Sequence, residues 1–357
     1  MYLDRAKQFI IGIMGGGQLG KMIAGAAAKF GIKTHVFTDD KDSPASHITS
    51  NLTIADFTDK DALISFAKNV DLVTLEFENI PCSAIDILLQ YTSIYPGKKS
   101  LYIAQNRLRE KGFMEELKIQ VPKYWSISNY TELQESIKNS NFPLILKEAE
   151  MGYDGKGQYV IQSDSDVQNL YNLLNWEKEY ILEELVDIQK EISLIVARDK
   201  DKNTSFFPIA ENFHVNGILD RSVVTAKIDS CLTKQAQKIV EKIVSELELV
   251  GILAVEFFIT KDGSLLVNEI APRPHNSGHW SLDACNVSQF EQLVRAICGF
   301  PLQEVKLHFP CTTKNILGTD INNCFHYLSN PNASLTIYGK EQAKGRRKMG
   351  HVNIINT

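Results

Sequence analysis

The sequence predicts a mixed α/β and α+β protein of three domains, and three observations carry that prediction. Near the N-terminus an apolar strand runs into a glycine-rich turn and an alanine-rich helix. In the middle, a lysine-bearing strand is followed by a second glycine-rich loop and another strand. Further on, an apolar hairpin spans 253–271 with a glutamate on each arm. A chain of 357 residues exceeds one ordinary core, so several domains are expected.

The first element is the strand Phe9 to Met14, followed by Gly15-Gly16-Gly17-Gln18-Leu19-Gly20, a helix from Lys21 to Phe30 and a strand from Lys33 to Thr38. This is a Rossmann-like βαβ unit with a GxGxxG turn. Its glycines let backbone approach a phosphate where a helix N-terminus offers free N–H groups. Asp39 and Asp40 follow near the distance of a ribose-binding acid, so a nicotinamide oxidoreductase is one alternative. No later segment supplies a hydride-transfer site. The strand Val70 to Phe77 ends in Glu76, Glu78 and Asn79, at the edge where open α/β sheets bind ligands. A short strand at Ser93 to Pro96 closes this first domain.

Gln105 to Leu117 reads as one helical connector carrying Arg107, Arg109 and Lys111, and Pro122 opens a new domain. The strand Pro143 to Glu148 holds Lys147 near its end, and the loop 151–157 follows with Gly152, Gly155 and Gly157. Glycines at this density between two strands suit a lid over phosphates; a Walker loop would open a helix instead. Tyr180 to Val186 is an apolar strand with Glu183 and Glu184 near its end, Glu191 opens the next strand, and Pro208 to His214 is strand-like. Thr233 to Leu247 is an amphipathic helix with Ile239, Ile243 and Leu247 at helical spacing.

The hairpin from Leu253 turns at Lys261-Asp262-Gly263. A two-residue loop at Asp262-Gly263 sets Glu256 opposite Glu269. Like charges so placed destabilise a ladder unless a cation lies between them. Two hard carboxylates with phosphate supplying further oxygens suit magnesium. In the tail, Pro272 and Pro274 stiffen the backbone around Arg273, whose guanidinium can grip an anion with two donors, and His275 can bind an anion or move a proton. The remainder, from Val305, reads as a small β appendage with Tyr338-Gly339-Lys340 and the basic run Lys344, Arg346, Arg347, Lys348. Folded back to the GxGxxG turn, that run completes a phosphate cleft.

A net charge of −5 argues against non-specific nucleic-acid binding. The six cysteines form no CxxC pair, the mark of free thiols in a reducing compartment. The N-terminal residues have no apolar core of signal length, and no apolar run is long enough to span a bilayer. A cytoplasmic protein with no membrane contact is expected.

Phosphate loop, adenine-like strand, paired glutamates and anion-gripping arginine occur here in the order of the ATP-grasp ligases. Among them the chain resembles the 5-(carboxyamino)imidazole ribonucleotide synthase family. The resemblance rests on GGGQLGKM, TLEFENI, AQNRLREK, EMGYDGKGQY, EELVDIQKEIS, ENFH, VNEIAPRPHNSGH and the YGK and RRKMGH ends, and spans nearly the whole chain. It implies a Rossmann-like domain over 1–110, an ATP-grasp domain over 111–303 and a small C-terminal β domain over 304–357. It also implies carboxylation of the amine of 5-aminoimidazole ribonucleotide by bicarbonate and ATP, through carboxyphosphate, in purine biosynthesis, by a homodimer.

In site terms the resemblance implies ATP held by Arg107, Lys147, Gly152, Tyr153, Asp154, Gly155, Lys156, Gly157, Glu183, Glu184, Leu185, Val186, Glu191, His214, Asn268 and Glu269. Magnesium falls to Glu256 and Glu269, and bicarbonate or carboxyphosphate to Tyr153, Arg273, His275 and Lys340. The substrate nucleotide falls to Gly15, Gly16, Gly17, Gln18, Leu19, Glu76, Asn79 and one of Arg346 and Arg347. Another ATP-grasp carboxylase, a formate-using ligase with a different amine acceptor, and a non-catalytic nucleotide sensor stand as alternatives.

Overall fold

A computed structural model describes residues 9–150 and 157–356. The first strand, β1 (Ile10–Met14), lies at the centre of a five-stranded parallel sheet with β2 (Lys33–Thr38), β3 (Asn51–Ile54), β4 (Leu72–Leu75) and β5 (Ser93–Tyr95), in the order β3-β2-β1-β4-β5. Burial on both faces explains the unbroken apolar run of β1, where Ile11, Ile13 and Met14 are wholly inaccessible. Helix α1 (Gln18–Lys29) turns Leu19, Ile23, Ala24, Ala26 and Ala27 inward. Helices α2 (Lys60–Lys68) and α3 (Cys82–Leu88) cover other parts of the sheet. Strand β3 carries no sequence signal because it is a short edge with Leu52 and Ile54 largely exposed.

The connector expected over 105–117 is a single helix, and a separate helix that the sequence reading did not name precedes it. Helix α4 (Lys98–Ala104) ends, and α5 (Arg107–Glu116) starts afresh at Asn106, whose side chain accepts the N–H groups of Leu108 and Arg109 at 2.9 and 3.1 Å. This N-cap stands inside a helix-forming stretch, so composition hides it.

Strands β6 (Tyr124–Ile127), β7 (Leu144–Glu148), β8 (Gln158–Ile161) and β9 (Tyr180–Glu184) form a four-stranded antiparallel sheet in the order β6-β9-β7-β8. Helices α6 (Tyr130–Lys138) and α7 (Asp164–Leu173) pack on it through Leu133, Ile137, Val167 and Leu170. The remaining strands make a single nine-stranded sheet. It comprises β10 (Ile188–Arg198), β11 (Thr204–Phe206), β12 (Ala210–Val215), β13 (Ile218–Val224), β14 (Gly251–Thr260), β15 (Leu265–Ala271), β16 (Cys311–Leu317), β17 (Ala333–Ile337) and β18 (Lys348–Ile355). Its order is β15-β14-β10-β12-β13-β16-β18-β17, with β11 beside β10. The C-terminal strands extend the central sheet through the β13–β16 pairing.

Helix α8 (Ser230–Glu246) buries Ala236, Val240, Ile243 and Val244 against this sheet, together with Leu194, Val255 and Phe257. Each such aliphatic side chain contributes roughly 1.5–3 kcal/mol on burial. On the other side, the short α9 (Ser281–Ala284) and the longer α10 (Gln289–Cys298) join Trp280, Phe290 and Ile297 to residues of α1, which ties the first domain to the rest. Among the described residues no helix is long and apolar enough to cross a membrane.

The β14–β15 hairpin does set Glu256 opposite Glu269, but by a different route from the one expected. The loop has three residues, Lys261 to Gly263, closed by the Thr260–Ser264 pair, and Gly263 adopts φ +84°. That shifts the register by one, as Phe257 facing Val267 shows. A bulge at Asn268 restores it before the glutamates meet.

Candidate active site

Side chains of helix α5 reach residues of both antiparallel sheets. Arg107 sits one position past the N-cap, where its NH1 reaches Glu269 Oε2 at 3.3 Å. One turn on, Lys111 is 2% exposed; its Nζ donates to the Asn268 carbonyl at 2.8 Å and lies 3.3 Å from Glu183 Oε1. The other oxygen of Glu183 is held by Lys147, which projects from β7 across to β9. Burial alone drives a carboxyl pKa up, yet the Lys111 and Lys147 ammoniums outweigh it and bring Glu183 down to about 2. Both Glu183 oxygens are thus engaged by lysines. Glu184 instead meets the exposed Lys123 at 2.8 Å, and Leu185, beyond it, is 53% exposed. Val186 is half-buried at the mouth of the same segment.

Glu256 and Glu269 face each other across β14 and β15. Burial, and then the charge of Glu269, push the Glu256 carboxyl well above its ordinary range. Desolvation acts on Glu269 too, but Arg107 and Lys147 overcome it and hold that group below its ordinary value. His214 and Glu191, from β12 and β10, approach to 2.5 Å beside them. Burial disfavours the imidazolium there; the Glu191 contact and the Glu256 charge prevail and raise the His214 pKa. Among the described residues no group of three or more acidic, histidine or cysteine side chains forms a closed metal cage. Two opposed carboxylates, one of them resisting ionisation because of the other, fit a magnesium ion that takes its remaining oxygens from phosphates.

The β15 tail turns toward the first domain. His275 caps the single turn Asn276–Gly278, its Nδ1 lies 2.8 Å from Ser277 Oγ, and Ser277 in turn meets Ser193 of β10 at 2.8 Å. Gln289 of α10 clamps the His275 backbone on both sides, at 2.8 and 2.7 Å. His275 Nε2 then points at Glu256 Oε1, 3.7 Å away. Burial, Arg273 and Lys348 press its pKa to about 3, which favours the neutral imidazole. Arg273 is gripped by both oxygens of Glu78. Asn79, its neighbour, is half-buried and does not line the cleft described next.

That cleft, of about 360 Å³, is lined by Gly15 to Gln18, Glu76, Phe77, Lys340 and Arg347, with Asp39 and Asp40 at its rim. The basic C-terminal run does fold back to the GxGxxG turn. Arg347 faces the cleft, whereas Arg346 donates to the Val215 carbonyl at 2.6 Å on another surface. Leu19 is 8% exposed and packs into the core, so only its backbone belongs to the turn. Glu76 lines this cleft from beneath the turn, and its oxygens accept the N–H groups of Gly17 and, at 2.7 Å, Gly20. It caps α1 from the end of a neighbouring strand, drawn by the unpaired amides of the helix start. The glycines accommodate that carboxylate as much as any phosphate. A Cβ on Gly15 would lie 2.3 Å from Glu76 Cγ, and one on Gly17 would lie 2.5 Å from its Oε1.

Gly152, Tyr153, Asp154, Gly155 and Lys156 lie outside the described residues. Gly157 follows them with φ +67°, close to Glu148. Glu110 escaped the sequence reading, while Lys111, Glu78 and Lys348 were named there without a place among the expected ATP, metal or substrate ligands. The charge of Lys348, first residue of β18, falls on Glu256, His275 and His279. The signal for Lys111 was present, since it lies four residues after Arg107 and hence on the same helix face.

A lysine–carboxylate clamp and a paired-glutamate hairpin, facing each other from two antiparallel sheets, define an ATP-grasp enzyme. The ATP-grasp domain family matches residues 112–290, the ribonucleotide synthetase preATP-grasp domain matches 9–105, and the phosphoribosylaminoimidazole carboxylase C-terminal domain matches 311–357. Residues 106–111 fall between the first two matches.

N5-carboxyaminoimidazole ribonucleotide synthase of Brucella melitensis is 41% identical over 97% of this chain and 96% of its own. The bifunctional purine synthesis protein of Dictyostelium discoideum is 40% identical over 96% of this chain, which spans 36% of that longer protein. The crystal structure of the Staphylococcus aureus synthetase with ADP superposes with a TM-score of 0.93 at 37% identity, covering 98% of this chain and 93% of that one. The Aspergillus clavatus enzyme, in complex with ADP and 5-aminoimidazole ribonucleotide, gives 0.91 at 27% identity over 100% and 95%. The chain belongs to the N5-carboxyaminoimidazole ribonucleotide synthase family, ATP-dependent ligases of purine biosynthesis.

Proposed function

We propose that the chain joins carbon dioxide, taken from bicarbonate, to the amine of 5-aminoimidazole ribonucleotide at the expense of ATP. The product is 5-(carboxyamino)imidazole ribonucleotide, with ADP and phosphate released. The observation that carries this reading is the meeting of Lys340 and Arg347 with the GxGxxG turn in one cleft, where the charge of Arg273 also reaches Glu76.

Lys147 and Arg107 hold the phosphates of ATP, with the segment Glu184 to Val186 beside the adenine and Glu191 and His214 toward the ribose. Glu256 and Glu269 would hold magnesium, which would supply charge neutralisation for the transferring phosphoryl group. A bicarbonate oxygen attacks the γ-phosphorus, the bond from that phosphorus to ADP breaks, and carboxyphosphate results. Arg273 supplies the cationic grip for it, shared with Glu78, while neutral His275 donates or accepts a hydrogen bond and Lys340 adds positive charge from the C-terminal strands. Arg347 and the turn amides hold the phosphate of the nucleotide, so its amine meets the carbon released from carboxyphosphate. The loop 151–157, with Tyr153, excludes water that would otherwise hydrolyse this intermediate. A cytoplasmic homodimer completes the reading, in keeping with six cysteines that form no disulfide.

The test is ADP release measured with ATP and bicarbonate. Stimulation by 5-aminoimidazole ribonucleotide, and not by formate with other amines, is expected. Release that ignores the aminoimidazole nucleotide would refute the assignment.

A further inference from the structure

Strand β15 ends the large sheet, so the N–H and C=O groups on its outer side have no strand to pair with. Around Glu269 they are taken by two adjacent side chains of α5. The N–H of Ile270 donates to Glu110 Oε1 at 2.5 Å, and the carbonyl of Asn268 accepts from Lys111 Nζ at 2.8 Å. These contacts grip the backbone on either side of the carboxylate residue, at the bulge that brings it opposite Glu256.

Lys111 does more than close an edge. Its ammonium lies 3.3 Å from Glu183 Oε1, and Glu183 holds Lys147. Asn268 belongs to the nine-stranded sheet and Glu183 to the four-stranded one. A single buried cation is therefore bonded to both sheets that enclose the nucleotide cleft. Such a cation is tolerated only while its partners stay in place, since losing one leaves charge uncompensated in the interior. Displacing β15 from β9 breaks one contact or the other.

We propose that Lys111 is a positioning residue for magnesium and nucleotide together. It fixes the distance between the metal carboxylate Glu269 and the phosphate-binding Lys147, so that each ligand binds better when the other is present. The proposal rests on the assignment of ATP to Lys147 and of magnesium to Glu256 and Glu269.

The experiment is calorimetric titration of the full-length protein with a non-hydrolysable ATP analogue, in EDTA and in saturating magnesium. The ratio of the two Kd values measures how strongly metal and nucleotide cooperate. In Lys111→Met that ratio is expected to fall roughly tenfold or more, the usual scale for removing a group that orients a metal ligand. A lysine that merely supports the fold would weaken both Kd values alike and lower Tm with the ratio intact, and that result overturns the proposal. Lys111→Gln, neutral but still a donor, repeats the test if the Met variant does not fold.

Should neither fold, Lys111→Arg decides. The longer, planar guanidinium places its donors at different points from a single ammonium, so the ratio is expected to fall, and an unchanged ratio is refuting. A wild-type protein whose analogue binding ignores magnesium sinks the underlying site assignment instead, and Glu269→Gln checks this separately by abolishing the magnesium gain.

Discussion

Glu183 gives the clearest energetic forecast, because two lysines depend on it. Replacing it by Gln keeps the shape and removes the charge facing Lys111 and Lys147, whose side chains are 3% and 12% exposed. The carboxyl titrates at about 2 against an ordinary 4.5, and at 1.36 kcal/mol per pH unit that gap amounts to about 3 kcal/mol. An independent figure comes from leaving a buried ion pair half-made, which costs roughly 3–5 kcal/mol. The two agree in size. A carboxyl with a depressed pKa stabilises the fold above 4.5, and the contribution fades as pH falls toward about 2. The Glu183→Gln protein should therefore be less stable than wild type by about 3 kcal/mol at pH 7, with the difference shrinking below pH 4.5. Urea unfolding followed by Trp fluorescence at several pH values measures this. Equal midpoints at pH 7, or a difference that does not shrink in acid, would refute the account of the clamp.

Other expectations concern the two sides of the site. Arg347→Ala should raise KM for the aminoimidazole nucleotide roughly tenfold or more, as expected for a lost charge-assisted contact of about 1.5–3 kcal/mol, whereas Arg346→Ala should change it little. Lys340→Ala should keep ATP binding, by calorimetry, and lose the coupling of ADP release to carboxylation, read as the ratio of the two products. For His275, whose pKa is about 3, the imidazole signal in NMR should not titrate between pH 5 and 8. Because the depressed His pKa favours the fold only while the unfolded histidine is also neutral, its contribution is lost as pH falls through 6.5 toward about 3. Observation of His275 titrating near 6.5 would remove the neutral-donor role.

The paired glutamates were legible because charge on a buried ladder is rare and the turn residues are explicit. Their facing was inferred from a two-residue loop, and it survived because two departures cancel: a third loop residue, and a bulge at Asn268 that no glycine or proline marks. Acids at a strand end were equally visible, but Glu76 answers to amides 59 and 56 residues away, and strand patterns carry no record of such partners. Arg346 and Arg347 could not be told apart in sequence, since the difference is which one a turn aims inward. The C-terminal strands read correctly as strands; their membership of the central sheet depends on the distant pairing with β13.

The six residues 106–111 bear on how such proteins can be recombined. They lie between two recognisable modules, where a seam for exchanging parts between relatives would naturally be placed. Here that stretch supplies the cap that starts α5, the cation on Glu269 and the lysine bonded to both sheets. A chimera cut there inherits one parent's cleft geometry and the other's cleft walls, and sequence similarity within each module gives no warning of the mismatch. The heritable unit of this active site is the join as much as the modules it connects.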